Sequence, residues 1–128
     1  MIVVDTSALM EIVLDASLAE ACSAVLESAD DASMSAGTLA EALIAAGRRG
    51  VAREMEMLVH GIGIEVVAVS DAGARRVSDA YSKWGKGVHP AGLNFGDCFA
   101  YALAEERACA LLFVGGDFSR TGIASCLR

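Results

Sequence analysis

Four carboxylates, those of Asp5, Glu41, Asp97 and Asp117, stand at places in the chain from which they could share one site. Asp5 and Asp117 each follow a short apolar run, Ile2-Val3-Val4 and Ala110-Leu111-Leu112-Phe113-Val114, while Glu41 and Asp97 each stand in what reads as the first turn of a helix. Every one of these positions also has an ordinary structural explanation. Thr38-x-x-Glu41 and Asn94-x-x-Asp97 have the form of capping boxes, and Asp5 and Asp117 can cap whatever follows them. A cap, however, needs no partner. Four acids gathered within about 4 to 6 Å of one another would oppose each other's ionisation and would take up protons or hold cations. Mg²⁺ or Mn²⁺ suits an all-oxygen set. One such ion could acidify a bound water for attack, and a second could neutralise a leaving oxygen. Thr6 and Ser7 could orient a carboxylate or a water, and Lys86 and His89 could hold a phosphate, although turn chemistry and surface solvation account for the same four residues.

No other nucleophile is evident. Cys22, Cys98, Cys109 and Cys126 are scattered with no CxxC pair, which points to reduced, mostly buried thiols. His60 and His89 are the only histidines, too few for a histidine-rich metal site, and no Ser-His-Asp set is visible. With 128 residues the chain reads as one domain, 1–128, large enough to bury a core unaided. The net charge of −7 argues against a broad basic face for nucleic acid, so a polyanionic partner would have to be held locally or through cations. No apolar run approaches the roughly 18 residues of a membrane span, and the amino terminus reads as a strand without a basic leader. A cytoplasmic protein with no membrane partner is expected.

The elements that must position the acids alternate. Ile2-Val3-Val4, three β-branched residues without polar alternation, read as a central strand buried on both faces. A short helix over 8–14, a helix over 15–27, a strand over 32–35, a helix from Leu39 to about Arg49, a helix over 51–59 and a strand over 64–69 follow. The helix opened by Ser70 and Asp71 carries Val77, Ala80, Tyr81 and Trp84 as its core stripe. After the breaker-rich loop 85–93, the helix opened by Asn94 should bury Phe95, Cys98, Phe99, Ala102 and Leu103. Strands at 110–114 and, at an edge, 123–127 close the chain. Such alternation predicts an α/β sandwich with a mainly parallel sheet, in which strand carboxyl ends and the following helix amino ends share one edge. All four acids would lie there.

Certain runs carry a further signal: Asp5-Thr6-Ser7, Glu41 in an early helix, Tyr81-x-x-Trp84-Gly85-Lys86-Gly87-x-His89-Pro90-Ala91-Gly92-Leu93-Asn94-Phe95-Gly96-Asp97-Cys98, and Leu111-Leu112-Phe113-Val114-Gly115-Gly116-Asp117-Phe118. Over essentially its whole length the chain resembles a VapC-type PIN-domain toxin. The resemblance implies a three-layer α/β/α sandwich with a parallel five-stranded sheet, acting as a Mg²⁺- or Mn²⁺-dependent endoribonuclease. Asp5, Glu41 and Asp97 match the family's acidic metal-site triad and Asp117 its fourth acid. Also implied are a homodimer, a VapB-type antitoxin whose carboxyl-terminal segment covers the site, and a structured RNA substrate such as transfer RNA. One departure is Gly122, where many relatives carry another Asp, so a second metal position or the last turn could be weakened. Two rival readings stand beside this one. A non-catalytic regulatory module could use the acidic edge to bind a basic partner segment. A phosphatase with an aspartyl nucleophile would want a second acid two residues after Asp5, where Ser7 stands.

Overall fold

A computed structural model describes residues 1–127. Its central strand is β1 (Ile2–Val4), which pairs in parallel on one side with β2 (Ala32–Ser35) and on the other with β4 (Ala110–Leu112). β3 (Glu65–Val67) pairs with β2, giving a four-stranded parallel sheet in the order β3-β2-β1-β4. The period-2 alternation of strand side chains divides the interior. Val3 and Leu111 point into one cluster with α5 (Asp71–Trp84) and α6 (Phe95–Arg107). Val4, Met34 and Leu112 point the other way, towards α1 (Thr6–Val13), α2 (Ala19–Ser28), α3 (Ala36–Arg48) and α4 (Ala52–Ile62). The result is the expected α/β/α arrangement. Val3, Val4, Leu111 and Leu112 are all fully buried, and burial of each such side chain is worth about 1.5–3 kcal/mol, so the strand that ends in Asp5 is held from both faces. No helix among the described residues is long and apolar enough to cross a membrane.

Several expectations need correction. The fifth strand is reduced to a single bridge between Leu111 and Ser125, with Leu111 N–H donating to the Ala124 carbonyl and Cys126 N–H to the Leu111 carbonyl. Beyond it the Ser125 hydroxyl accepts from Leu127 N–H, a local side-chain bond that competes with the ladder. β3 is three residues rather than six, because its only partner is the four-residue β2. α1 starts at Thr6 rather than Ala8 because Asp5 caps it. α2 starts late, at Ala19, after a turn with Asp15 in the left-handed region and Leu18 N–H held by the Glu11 carboxylate. α3 begins at Ala36, capped by Ser35 through Gly37 N–H, so the Thr38 capping box does not form. α4 runs on to Ile62 and stops at Gly63, whose φ of 74° suits glycine. Met55 of α4 is fully buried in the core.

Two side chains expected in core stripes are exposed. Tyr81 turns outward and its hydroxyl donates to the Lys86 carbonyl, closing the 85–93 loop. Phe95 is the first residue of α6, beyond the reach of the helices that cover the sheet, and 71 % of it meets solvent.

The carboxyl rim is tightened where α3 meets α6. A Cβ built on Gly37 would fall inside the Phe99 ring. Alanine there would gain about 1 kcal/mol in helix propensity, whereas overpacking costs about 1–3 kcal/mol. Gly37→Ala is therefore expected to lower the urea midpoint at unchanged m-value; a midpoint at or above that of the parent would show that Phe99 yields freely.

Candidate active site

Asp5 reaches the rim because β1 ends there, and its side chain caps α1. Its Oδ2 accepts from Ser7 N–H at 3.0 Å and from Ser7 Oγ–H at 2.6 Å. Ser7 Oγ in turn accepts from Val114 N–H at 3.0 Å, tying the end of β1 to the segment after β4. The other oxygen, Oδ1, is buried with no partner, a costly state for a carboxylate. Burial raises the Asp5 carboxyl to about 6, with the Ser7 bonds opposing and the Glu41 charge reinforcing the shift.

Asp97 is buried in the first turn of α6. The box read from the sequence is present: Asp97 N–H donates to Asn94 Oδ1 at 2.8 Å and Asn94 N–H donates back to Asp97 Oδ2 at 3.0 Å. Capping should hold this carboxylate ionised. Instead its pKa stands at about 7, chiefly through burial against the opposing Asn94 bond, and then through the charges of Asp5, Asp117 and Glu41. All three other acids thus act on Asp97. The structure brings the four into one electrostatic neighbourhood.

Glu41 belongs to the second turn of α3 and is no cap. Its Oε1 accepts from Thr6 Oγ–H at 2.7 Å, and the same hydroxyl reaches the Thr38 carbonyl at 3.2 Å. The carboxylate lies so closely over Gly96, at the start of α6, that any side chain there would overlap it. Neither the Thr6 bond nor the Gly96 contact was legible in the spacing of the acids; a glycine one residue before Asp97 was the available signal, and it reads equally as loop. Asp117 is exposed in the turn after β4. Gly122, at φ 81° and exposed, has no neighbour that a Cβ would meet.

Neither Lys86 nor His89 is among the groups whose charge shifts Asp5 or Asp97. The charges acting on Asp5 and Asp97 come from the other acids. His89 builds its own loop: Nδ1 accepts from Ala91 N–H at 2.9 Å and the ring meets Trp84 edge-on at 4.7 Å. Lys86 is exposed. Cys98, next to Asp97, is buried and its thiol is pushed up to about 11, so it packs rather than reacts. Among the described residues no group of three His, Cys, Asp or Glu side chains is placed closely enough to hold a metal ion by itself. The set is nevertheless all carboxylate oxygen, and Asp5 Oδ1 is a buried acceptor without a donor, which fits a hard cation retaining part of its water shell.

The PIN domain family model matches residues 2–124. Ribonuclease VapC30 of Mycobacterium tuberculosis is 40 % identical over 126 residues, covering 96 % of each chain. Among solved structures, Mycobacterium tuberculosis VapC20, described as a Sarcin-Ricin loop cleaving toxin, superposes with a TM-score of 0.81 at 17 % identity over the whole of both chains. A toxin-antitoxin complex from Klebsiella pneumoniae gives 0.71 at 16 % identity, covering 95 % of this chain and 93 % of that one.

Two outcomes follow from the geometry. Both raised carboxyls bind protons more tightly folded than unfolded, where they return to about 3.9. Their stabilising protonation is complete below that value and is lost as pH rises through about 6 and about 7. Thermal unfolding without divalent metal should therefore show stability falling by on the order of a few kcal/mol between pH 4 and 8 on this account. Asp97→Asn should flatten that slope; an unaltered slope would mean that Asp97 does not carry the shift. Gly96→Ala should displace the Glu41 carboxylate while leaving the far-UV circular dichroism intact. A crystal structure of G96A with Glu41 unmoved would refute the contact.

Proposed function

The chain belongs to the VapC family of PIN-domain ribonucleases, and from that premise we propose that it is a toxin of a type II toxin-antitoxin pair acting as a Mg²⁺- or Mn²⁺-dependent endoribonuclease. The observation that carries the chemistry is the burial of Asp5 and Asp97 in each other's field at the sheet edge. Asp5 and Asp97 would hold the ion, with Glu41 and Asp117 flanking it. When bound, the metal supplies water activation and charge neutralisation at the scissile phosphate.

The chain's own residues do the positioning. Ser7 commits Asp5 Oδ2, so Oδ1 is the oxygen left for a ligand. Asn94 likewise engages Asp97 Oδ2. Thr6 fixes Glu41 Oε1, and Gly96 lets that carboxylate approach the helix start. Each carboxylate is aimed before substrate arrives, the condition under which electrostatic stabilisation costs little reorganisation.

The whole chain, 1–128, acts in this reading as one cytoplasmic domain and pairs into a homodimer. Its partner is a VapB-type antitoxin that covers the acidic rim. The substrate is a transfer RNA or another structured RNA. A net charge of −7 favours few, selective contacts over general RNA binding.

Asp97→Asn keeps shape and removes the charge. With Mn²⁺ and a panel of structured RNAs, cleavage should fall by at least about 100-fold, while the melting temperature without metal stays level or rises. A variant that cuts as fast as the parent would sink the assignment, and metal-independent fragments would sink the mechanism.

A further inference from the structure

Single exposed apolar residues are ordinary on protein surfaces. Phe95 differs in where it stands and in how it is held. It directly precedes Gly96, over which the Glu41 carboxylate lies, and stands two residues from Asp97. Its ring meets Phe99 edge-on, centroids 4.9 Å apart at 87°, and Phe99 is itself wedged against Gly37 of α3. The exposed ring is thus braced. Behind it, Phe99 lines a cleft of about 120 Å³ with Val67, Val69, Arg76 and Glu106. That cleft opens beyond the carboxyl ends of β2 and β3, along the same sheet edge as the acids.

Charge narrows what the ring is for. The chain as a whole carries ten Lys and Arg against seventeen Asp and Glu, and among the described residues the cleft lining holds one cation, Arg76, beside one acid, Glu106. Stacking on an aromatic face needs no charge and accepts any base. Resting on the ribonuclease reading above, we propose that Phe95 is a stacking platform for a nucleobase flanking the scissile phosphate, leading the RNA strand from the acids towards the cleft lined by Phe99.

The test compares kcat/KM for the parent, Phe95→Ala, Phe95→Leu and Phe95→Trp on a cleaved stem-loop RNA in Mn²⁺, with Asp97→Asn as the inactive control. Each substrate is also made with an abasic nucleotide on either side of the cleavage position. Phe95→Ala should lose roughly 5- to 150-fold, the worth of one stacked base. Phe95→Leu should share the loss and Phe95→Trp should recover, because the face rather than the bulk is needed. On the abasic RNA at the stacked position, the alanine variant should lose nothing further.

Full activity of the alanine or the leucine variant would overturn the proposal, as would an equal loss on intact and abasic RNA. Unchanged kcat/KM with weakened antitoxin binding or dimer dissociation would assign the ring to a protein contact and refute it also. Cleavage that depends on Asp97 but not on Phe95 leaves the nuclease reading standing without the platform. Absence of any Asp97-dependent cleavage removes both.

Discussion

Carboxylates of like charge do not gather unaided, and the structure is organised around keeping two of them, Asp5 and Asp97, out of water and in each other's field. Removing a carboxylate from water is expensive unless it is neutralised or paired. The expense is met by the sheet. β1 is buried on both faces by two separate apolar clusters, so the position of Asp5 follows from the packing of Val3 and Val4 and has little freedom to relax. Ser7 then links the Asp5 carboxylate to Val114 N–H across 107 residues, so the ends of the two neighbouring strands are fixed relative to each other as well as to the acid.

The same rigidity explains why small residues stand where helices meet the rim. Gly37 and Gly96 lie near the amino ends of α3 and α6, and each admits a group that a Cβ would exclude: the Phe99 ring at one, the Glu41 carboxylate at the other. Close approach brings the two helices together at the edge where their acids are needed. Thr6 completes the lock: its one O–H donates to Glu41 and lies within reach of the Thr38 carbonyl, so a single hydroxyl ties α1 to α3 beside the site.

How much of this was legible in the sequence depended on how local the cause was. The Asn94–Asp97 box and the Asp5 cap are contacts within three residues, and both could be read from residue types alone. That the charges of Asp5, Glu41 and Asp117 all reach Asp97 also followed, since parallel topology puts strand ends and helix starts on one edge. The Thr38-x-x-Glu41 box misled because Ser35 offered an equally good cap one turn earlier and the end of β2 runs straight into α3. Thr38 is instead fully buried inside the helix, its hydroxyl without a partner. Phe95 was misplaced because helical periodicity says which face a residue is on but not whether another element extends far enough to cover it. The fifth strand survives only as the Leu111–Ser125 bridge, and next to it a side-chain bond from Leu127 N–H to the Ser125 hydroxyl stands where a ladder bond was expected, a feature no hydrophobic pattern registers.

An acidic protein that works on RNA gives up long-range steering. Non-specific binding to polyanions is driven by counterion release from phosphates neutralised by Lys and Arg, and a chain with net charge −7 has little of that drive. On the proposed reading, what remains would be short-ranged and directional: an ion at the carboxylates, shape at the rim, and aromatic faces. Such contacts would reward only a strand already presented in the right geometry, as an RNA loop is, and would ignore the bulk of cellular RNA. On the proposed reading, the crowding of carboxylates that the fold must work to maintain would serve selectivity as well as hydrolysis, since like charge turns away any phosphate chain not bridged to it by a cation.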